Sequence, residues 1–516
     1  MQNAAARREA EAAAADLAAQ LEMNSISRRA LHGIYLRTRR SYNINAMRNA
    51  TARQDRLSEL PDNILLHILE REDTLDALRT CILSKRLMRL PAMLSRFDLN
   101  VGSLMRHRDT TSHGFNTADV VRYNNTLAGV TEKILPARSP EIHTIHKLRV
   151  TCYLRPDECL PITRAFASTM ATHKVDRAEF VPIIEKPFSE CTDGDLLCYA
   201  KRFNICLADC PSAFAGLTYL WLSNMRFDGQ LDISNILSTC KRLKHLRLSH
   251  CDAGIGSVLM VEHDQLVELI VDQGVFAAVH LYGVPKLQHL TFTCWWYRVP
   301  LTFGYVPQLS KLSLGKRGRT QTKNLQLSQL LANVPSIRDL HLDFISEKIW
   351  VVPECPKLLT PVLGKLEMVN LDNLLEGYDI TWTMFILEAA PSLRELCITM
   401  WDHYWCKMVI QQDDLRNYGL YREKADLVEW QPSASGFKHT NLVKLTIYGF
   451  QPNEKMVRYV KRIREVAVNM KEIWLHDRKA CERCGDLDPN TKLITRSKVY
   501  PNNLIVRFVG RSTRTP

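Results

Sequence analysis

The sequence predicts an α/β solenoid, a curved stack of parallel strands with a small three-helix module in front of it. Two observations carry this prediction. The pattern L-x-x-L-x-L, with apolar replacements, recurs ten times from Leu217 onward. Near the N-terminus, the stretch DRLSELPDNILLHILE (55–70) combines a polar entry, a Leu-Pro step and an apolar helix stripe. Composition sets the frame: 46% hydrophobic and 24% charged residues are ordinary for a folded domain, and no apolar run approaches the roughly 18 residues of a membrane span.

The repeats read LTYLWL at Leu217, LKHLRL at Leu243, LVELIV at Leu266, LQHLTF at Leu287 and LSKLSL at Leu309. They continue as IRDLHL at Ile337, LGKLEM at Leu363, LRELCI at Leu393, LVKLTI at Leu442 and MKEIWL at Met470, with a fainter IHKLRV at Ile145. Between Leu217 and Leu393 the steps run from 21 to 30 residues, close to the period of leucine-rich repeats. Four copies share a Pro-containing prefix: VPKLQHL, VPQLSKL, VPSIRDL and APSLREL. In each copy the last two apolar residues alternate with outward ones, as a strand requires. A lone strand cannot bury its face, so stacked copies form one sheet with irregular or short helical returns outside: a leucine-rich-repeat horseshoe. The 49-residue gap between Leu393 and Leu442 implies an insertion.

Outward strand positions include His245, Arg247, Glu268, His289, Lys311, Asp339, His341, Lys365, Glu367 and Glu395, a face of mixed polarity suited to a protein partner. Two aromatic clusters follow strands: Trp295, Trp296 and Tyr297 after LQHLTF, and Trp401, Tyr404 and Trp405 after LRELCI. They are candidate substrate contacts, because Trp and Tyr are enriched in binding hot spots. Filling the core beneath a long connection is the competing role.

In the opening stretch, Pro61 suits a first helical turn, and Ile64, Leu65, Ile68 and Leu69 form one stripe. DTLDALRTCIL offers a second helix capped by Asp73 or Thr74, with Leu75, Leu78 and Ile82 on one face. Ser84 caps a third segment, KRLMRL, closed by Pro91. Three short helices make a marginal core, so part of the stripe is expected to meet a partner.

DRLSELPDNILLHILE…TLDALRTCILSKRLMRLP resembles the F-box, the module that docks on the Skp-type adaptor of cullin–RING ubiquitin ligases. FKHTNLVKLTIYGFQPNEKMVRYVKRIREVAVNMKEIWLHD resembles the FBD segment, strand–loop–helix–strand, that closes many plant F-box proteins with leucine-rich repeats. The resemblance implies adaptor contacts at Leu60, Pro61, Ile64, Leu65, Ile68 and Leu69, flanked by Leu83, Lys85, Arg86 and Leu87. Many plant F-boxes have Arg-Trp and a later Leu-Trp where this chain has Arg86-Leu87 and Leu90-Pro91. Leu87 replaces much of the lost apolar area, at about 1–2 kcal/mol less than a buried Trp.

The implied function is that of a substrate-recognition subunit: the F-box holds the adaptor, and through it a cullin–RING ligase, while the repeats hold an unknown protein target. The chain then supplies binding and orientation, not a chemical step. The alternative is a non-ligase scaffold whose helices cap the solenoid. Related solenoids include small-molecule receptors, but no local sequence points to a ligand, and no cofactor or metal is expected. Cys481 and Cys484 form a lone C-x-x-C without a second pair. Cysteines scattered in apolar stretches suit a reduced cytoplasmic or nuclear chain.

The formal charge of +13 divides informatively. Residues 1–54 and 477–516 each hold nine Lys/Arg against four Asp/Glu, supplying +10 and leaving +3 for the middle. Such tails attract anions non-specifically and do not make a nucleic-acid reader. The basic loop GKRGRTQTKNLQ (Lys316, Arg317, Arg319, Lys323) reads as solvated, with a phosphate contact as the other possibility. The organisation expected is a flexible basic leader (1–54), F-box (55–99), helical connection (100–139), repeats (140–435), FBD-like repeats (436–480) and basic tail (481–516).

Overall fold

The computed structural model describes residues 60–81, 86–104, 117–136, 144–254, 256–295, 299–316, 325–344, 349–375, 379–401, 436–477, 493–500 and 504–511. The chain divides into two compact units, and the division falls near residues 229–247.

The first unit opens with α1 (Asp62–Leu69) and α2 (Thr74–Cys81), followed by a 3-10 turn over Leu87–Met93. Pro91 lies inside that turn and does not close it. Asp73 caps α2, its carboxylate accepting from Leu75 N–H at 2.8 Å. Four parallel strands follow in the order β1 (Arg96–Asn100), β2 (Ile145–Tyr153), β3 (Val175–Ile183) and β4 (Tyr219–Ser223). Only β2 and β4 were marked by the repeat pattern. RFDLN is too short to show a period, and VDRAEFVPI lacks the leucines that define a copy.

The long helices of the unit are α3 (Thr117–Ile134), α4 (Pro156–Thr172) and α5 (Asp193–Asp209). Their buried Leu127, Phe166 and Phe203 share a core with Leu148, Phe180 and Leu220 of the strands. Buried Asn124 locks α3 to the end of β2, donating to Tyr153 C=O at 2.9 Å and accepting from its N–H at 3.0 Å. A capping box of Thr192 and Asp195 starts α5.

The dividing strand is β5 (His245–Ser249). The second unit contains β6 (Val258–Glu262), β7 (Glu268–Asp272), β8 (Ala278–Gly283), β9 (His289–Trp295), β10 (Leu301–Tyr305), β11 (Lys311–Lys316) and β12 (Asp339–Asp343). It continues with β13 (Met368–Leu375), β14 (Glu395–Trp401), β15 (Lys444–Tyr448), α6 (Glu454–Val466), β16 (Glu472–His476), β17 (Leu493–Tyr500) and β18 (Leu504–Arg511). Strands β7-β9-β11-β12-β13-β14-β15-β16-β18 are neighbours in that order, all parallel, and β17 closes the edge antiparallel to β18.

Three expectations are corrected here. Returns between residues 258 and 305 are strands, not irregular segments or helices: β10, β8 and β6 form a second parallel sheet. The basic tail from 481 contributes β17 and β18, with β18 paired to β16. The copy placed at Leu363 starts at Leu366, because β13 begins at Met368 and pairs Val369 with Leu396. Lys365 and Glu367 are therefore not strand positions.

A shared turn explains the Pro prefix. The carbonyls of Val284, Val306 and Ala390 accept from the N–H three residues on, at 3.1, 3.4 and 3.0 Å, with Pro in the second position. Leu363–Leu366 makes the same turn at 3.0 Å, with Gly364 replacing Pro. The strand–loop–helix–strand order expected of the FBD-like segment is present as β15, α6 and β16. Among the described residues no helix is long and apolar enough to cross a membrane.

Candidate functional site

Helix α1 is short, and its two neighbouring apolar pairs have opposite fates. Leu65 and Leu69 are 2% and 4% exposed, whereas Ile64 and Ile68, one turn apart, are 43% and 39% exposed. The stripe expected from sequence is thus split lengthwise. Its inner half, with Leu87 and Leu90, forms the module's own core, and its outer half stands in solvent beside Pro61. Of the expected adaptor contacts, Leu65, Leu69 and Leu87 are used internally and offer no surface to a partner.

The entry to α1 is held from outside. Arg86 donates through Nε to Asp62 Oδ1 at 2.8 Å and through Nη2 to Leu60 C=O at 2.8 Å. At the other end, Glu70 Oε1 accepts from Ser95 N–H and Oγ–H at 2.8 and 2.6 Å. Arg86 therefore orients the helix whose face is exposed, while Leu83 and Lys85 lie outside the described residues.

On the strand face of the second unit, charges are matched across neighbouring strands. Lys311 meets Asp339 at 2.9 Å, Lys444 meets Glu395 at 3.1 Å, Arg507 meets Glu472 at 3.2 Å and Arg247 meets Asp272 at 2.7 Å. Such pairs contribute a few tenths of a kcal/mol each and leave the face nearly neutral. An aromatic ladder ends the row: Tyr448 stacks on His476 at 4.4 Å, Trp474 lies parallel to His476 at 6.1 Å, and the Arg507 guanidinium covers Trp474 at 4.4 Å. Aligning KLTIY with EIWLH would have found it, since Tyr448 and His476 are register partners.

In the first aromatic cluster, the expectation for Trp295 is corrected. Trp295 is 2% exposed, edge-on to Trp350 at 5.3 Å, in a buried series of rings running through Phe344 and Trp382 to Phe385. Trp295 is core and offers almost no surface to a partner. Trp401 ends β14, whereas Trp296, Tyr297, Tyr404 and Trp405 lie outside the described residues, as do Cys481 and Cys484. Lys316 of the basic loop is buried, its ammonium 5.3 Å from the Trp295 ring. Burial pushes the thiols of Cys81 and Cys240 up to about 12, far from thiolate chemistry at neutral pH.

A family model described as the At1g61320/AtMIF1 LRR domain matches residues 208–501, more than half of the chain. The chain belongs to this leucine-rich-repeat family. Its α/β repeat solenoid, with a sheet that does not close on itself, is that of the family. A curated Arabidopsis thaliana protein, provisionally named F-box/FBD/LRR-repeat protein At5g56810, is 24% identical over 358 residues, covering 66% of this chain and 74% of the relative. The family match and this relative bear out the resemblance read from the sequence, that of a plant leucine-rich-repeat protein of F-box type.

Proposed function

We propose that this leucine-rich-repeat chain is a substrate-recognition subunit of a Skp–cullin–F-box ubiquitin ligase, acting in the cytoplasm or nucleus. The observation that carries the reading is the outward pair Ile64 and Ile68 on a helix whose inner pair is already buried. Full burial of an aliphatic side chain is worth about 1.5–3 kcal/mol, so covering the remaining area of both contributes about 1–2 kcal/mol to docking. In this reading residues 55–99 hold the adaptor, the repeats hold a protein target, and partners carry out ubiquitin transfer.

The scaffold alternative draws on a different contact. Thr74 Oγ1 accepts from Asp98 N–H at 2.7 Å, so α2 is tied to the first strand as a cap would be. Capping and docking use different residues of the module, and co-purification separates them. Wild-type chain co-expressed with a plant Skp-type adaptor is expected to elute as one complex. Ile64→Ala/Ile68→Ala weakens that complex about 5- to 30-fold while circular dichroism and melting stay unchanged. Leu65→Ala, by contrast, destabilises the module itself by about 2–5 kcal/mol. A double variant that binds like wild type removes this reading.

A further inference from the structure

We propose that the outward strand face of the first unit binds an acidic, extended segment of a partner protein. Parallel register sets Arg96 of β1 opposite Lys147 of β2, and Lys147 opposite Arg177 of β3. Three cations thus stand in one row on adjacent strands spaced about 4.8 Å apart, an arrangement that repels itself. In the next row Arg149 lies between Asp98 and Glu179. The patch therefore gathers four cations around two carboxylates.

Of the two carboxylates, Glu179 is set deep and Asp98 is half-buried. Glu179 is 2% exposed at its side chain and is shared by Arg177, with which it is in direct contact, and by Lys147 and Arg149 at 3.7 Å each. It contacts the Lys147 ammonium and the Nε atoms of Arg149 and Arg177, and the three side chains stay 32%, 29% and 52% exposed. Arg96 is exposed and makes no ion pair among the described residues. Beside the row, the Arg177 guanidinium covers the ring of half-buried Tyr219 at 5.7 Å, adding an apolar floor.

The contrast with the second unit carries the argument. There, Lys311, Lys444, Arg507 and Arg247 each meet an acid on a neighbouring strand, and the face satisfies itself. Here three cations share the single carboxylate of Glu179 and Arg96 meets none among the described residues, so carboxylates from another chain would supply the balance. In an extended peptide, acids two residues apart lie about 7 Å apart, between one and two strand spacings. The inference deepens the receptor reading, on which the role of that segment as a target rests. The binding itself does not depend on it.

The test is fluorescence anisotropy of the full chain with a labelled peptide alternating Glu and Ser, beside its Gln-for-Glu twin and inorganic tripolyphosphate. The Glu peptide is expected to bind, more weakly as salt rises, and the Gln twin is not. Arg96→Gln/Arg177→Gln weakens binding about tenfold or more, whereas Lys311→Gln leaves it unchanged. Arg96→Gln melts no lower than wild type, since it relieves repulsion. Equal binding by the double variant, equal loss in Lys311→Gln, or capture of tripolyphosphate in place of the peptide each overturns the proposal. Co-purification with the adaptor persists in every variant, so this failure is distinct from failure of the ligase reading.

Discussion

Ile64 and Leu65 are adjacent, similar in size and part of the same stripe, yet one is core and the other surface. Helical periodicity identified the stripe; it could not say how much of it the module's own residues would cover. Trp295 failed for a different reason. Alternation from Leu290 and Phe292 points it outward, but β9 skips a position against β11, so that Lys316 pairs with Trp295. One extra residue in a strand exchanges its faces, and nothing in the local sequence marks the skip.

At the same scale, His439 couples stability to pH. Its Nδ1 accepts from the N–H groups of Asn441 and Leu442 at 3.3 and 3.0 Å, so the ring proton sits on Nε2, 3.0 Å from Ala390 C=O. Burial holds its pKa below the ordinary 6.5, and burial lowers that of His476 as well. A lowered folded pKa means that the unfolded chain takes up protons first as pH falls. The stability these histidines contribute is complete above the ordinary imidazole pKa and is lost as pH drops through it toward the folded value. Melting temperature is therefore expected to decline from pH 7.5 to 5.5, with a shallower decline in His439→Gln. An unchanged slope in that variant contradicts this assignment.

Among the elements, the repeats share more than their leucines. Asn224, His250, Gln273, Asn373 and Gly449 all have positive φ, at 57°, 51°, 53°, 56° and 72°. Each lies seven residues after the first apolar residue of its copy: Leu217, Leu243, Leu266, Leu366 and Leu442. In four copies this left-handed step directly follows the strand, and in β13 Asn373 falls at the irregularity between Leu371 and Leu374; only Gly or Asn takes it cheaply. It also fixes the copy at Leu366 instead of Leu363, a choice the apolar pattern alone left ambiguous. Gln273→Gly is expected to raise stability by about 0.5–1 kcal/mol in chemical denaturation. Gly449→Ala is expected to lower it by about 2 kcal/mol or more, because a Cβ there falls 2.8 Å from Met400 C=O. Opposite signs for the pair test whether backbone conformation governs this position.

Across the whole molecule, the repeats and the closing strand–helix–strand were legible because leucine spacing repeats often enough to be seen. The strands in the second sheet were not: VLMVE, AVHLYG and LTFGY differ in pattern and lie in the intervals between copies. Neither was the C-terminal hairpin, whose basic residues suggested a tail although alternating Leu504, Val506 and Phe508 sit among them. For the candidate site the sequence located a helix with an apolar stripe, while the partition of its residues had to come from packing.

The claim that ties these scales together is that the outer face of α1 is a docking surface. Hydrogen–deuterium exchange of the full chain, with and without a plant Skp-type adaptor, tests it most directly. Slowed exchange over residues 60–72, with the repeat strands unchanged, is the predicted result. Adaptor binding that leaves α1 unprotected, or protection confined to the repeat strands, would contradict it.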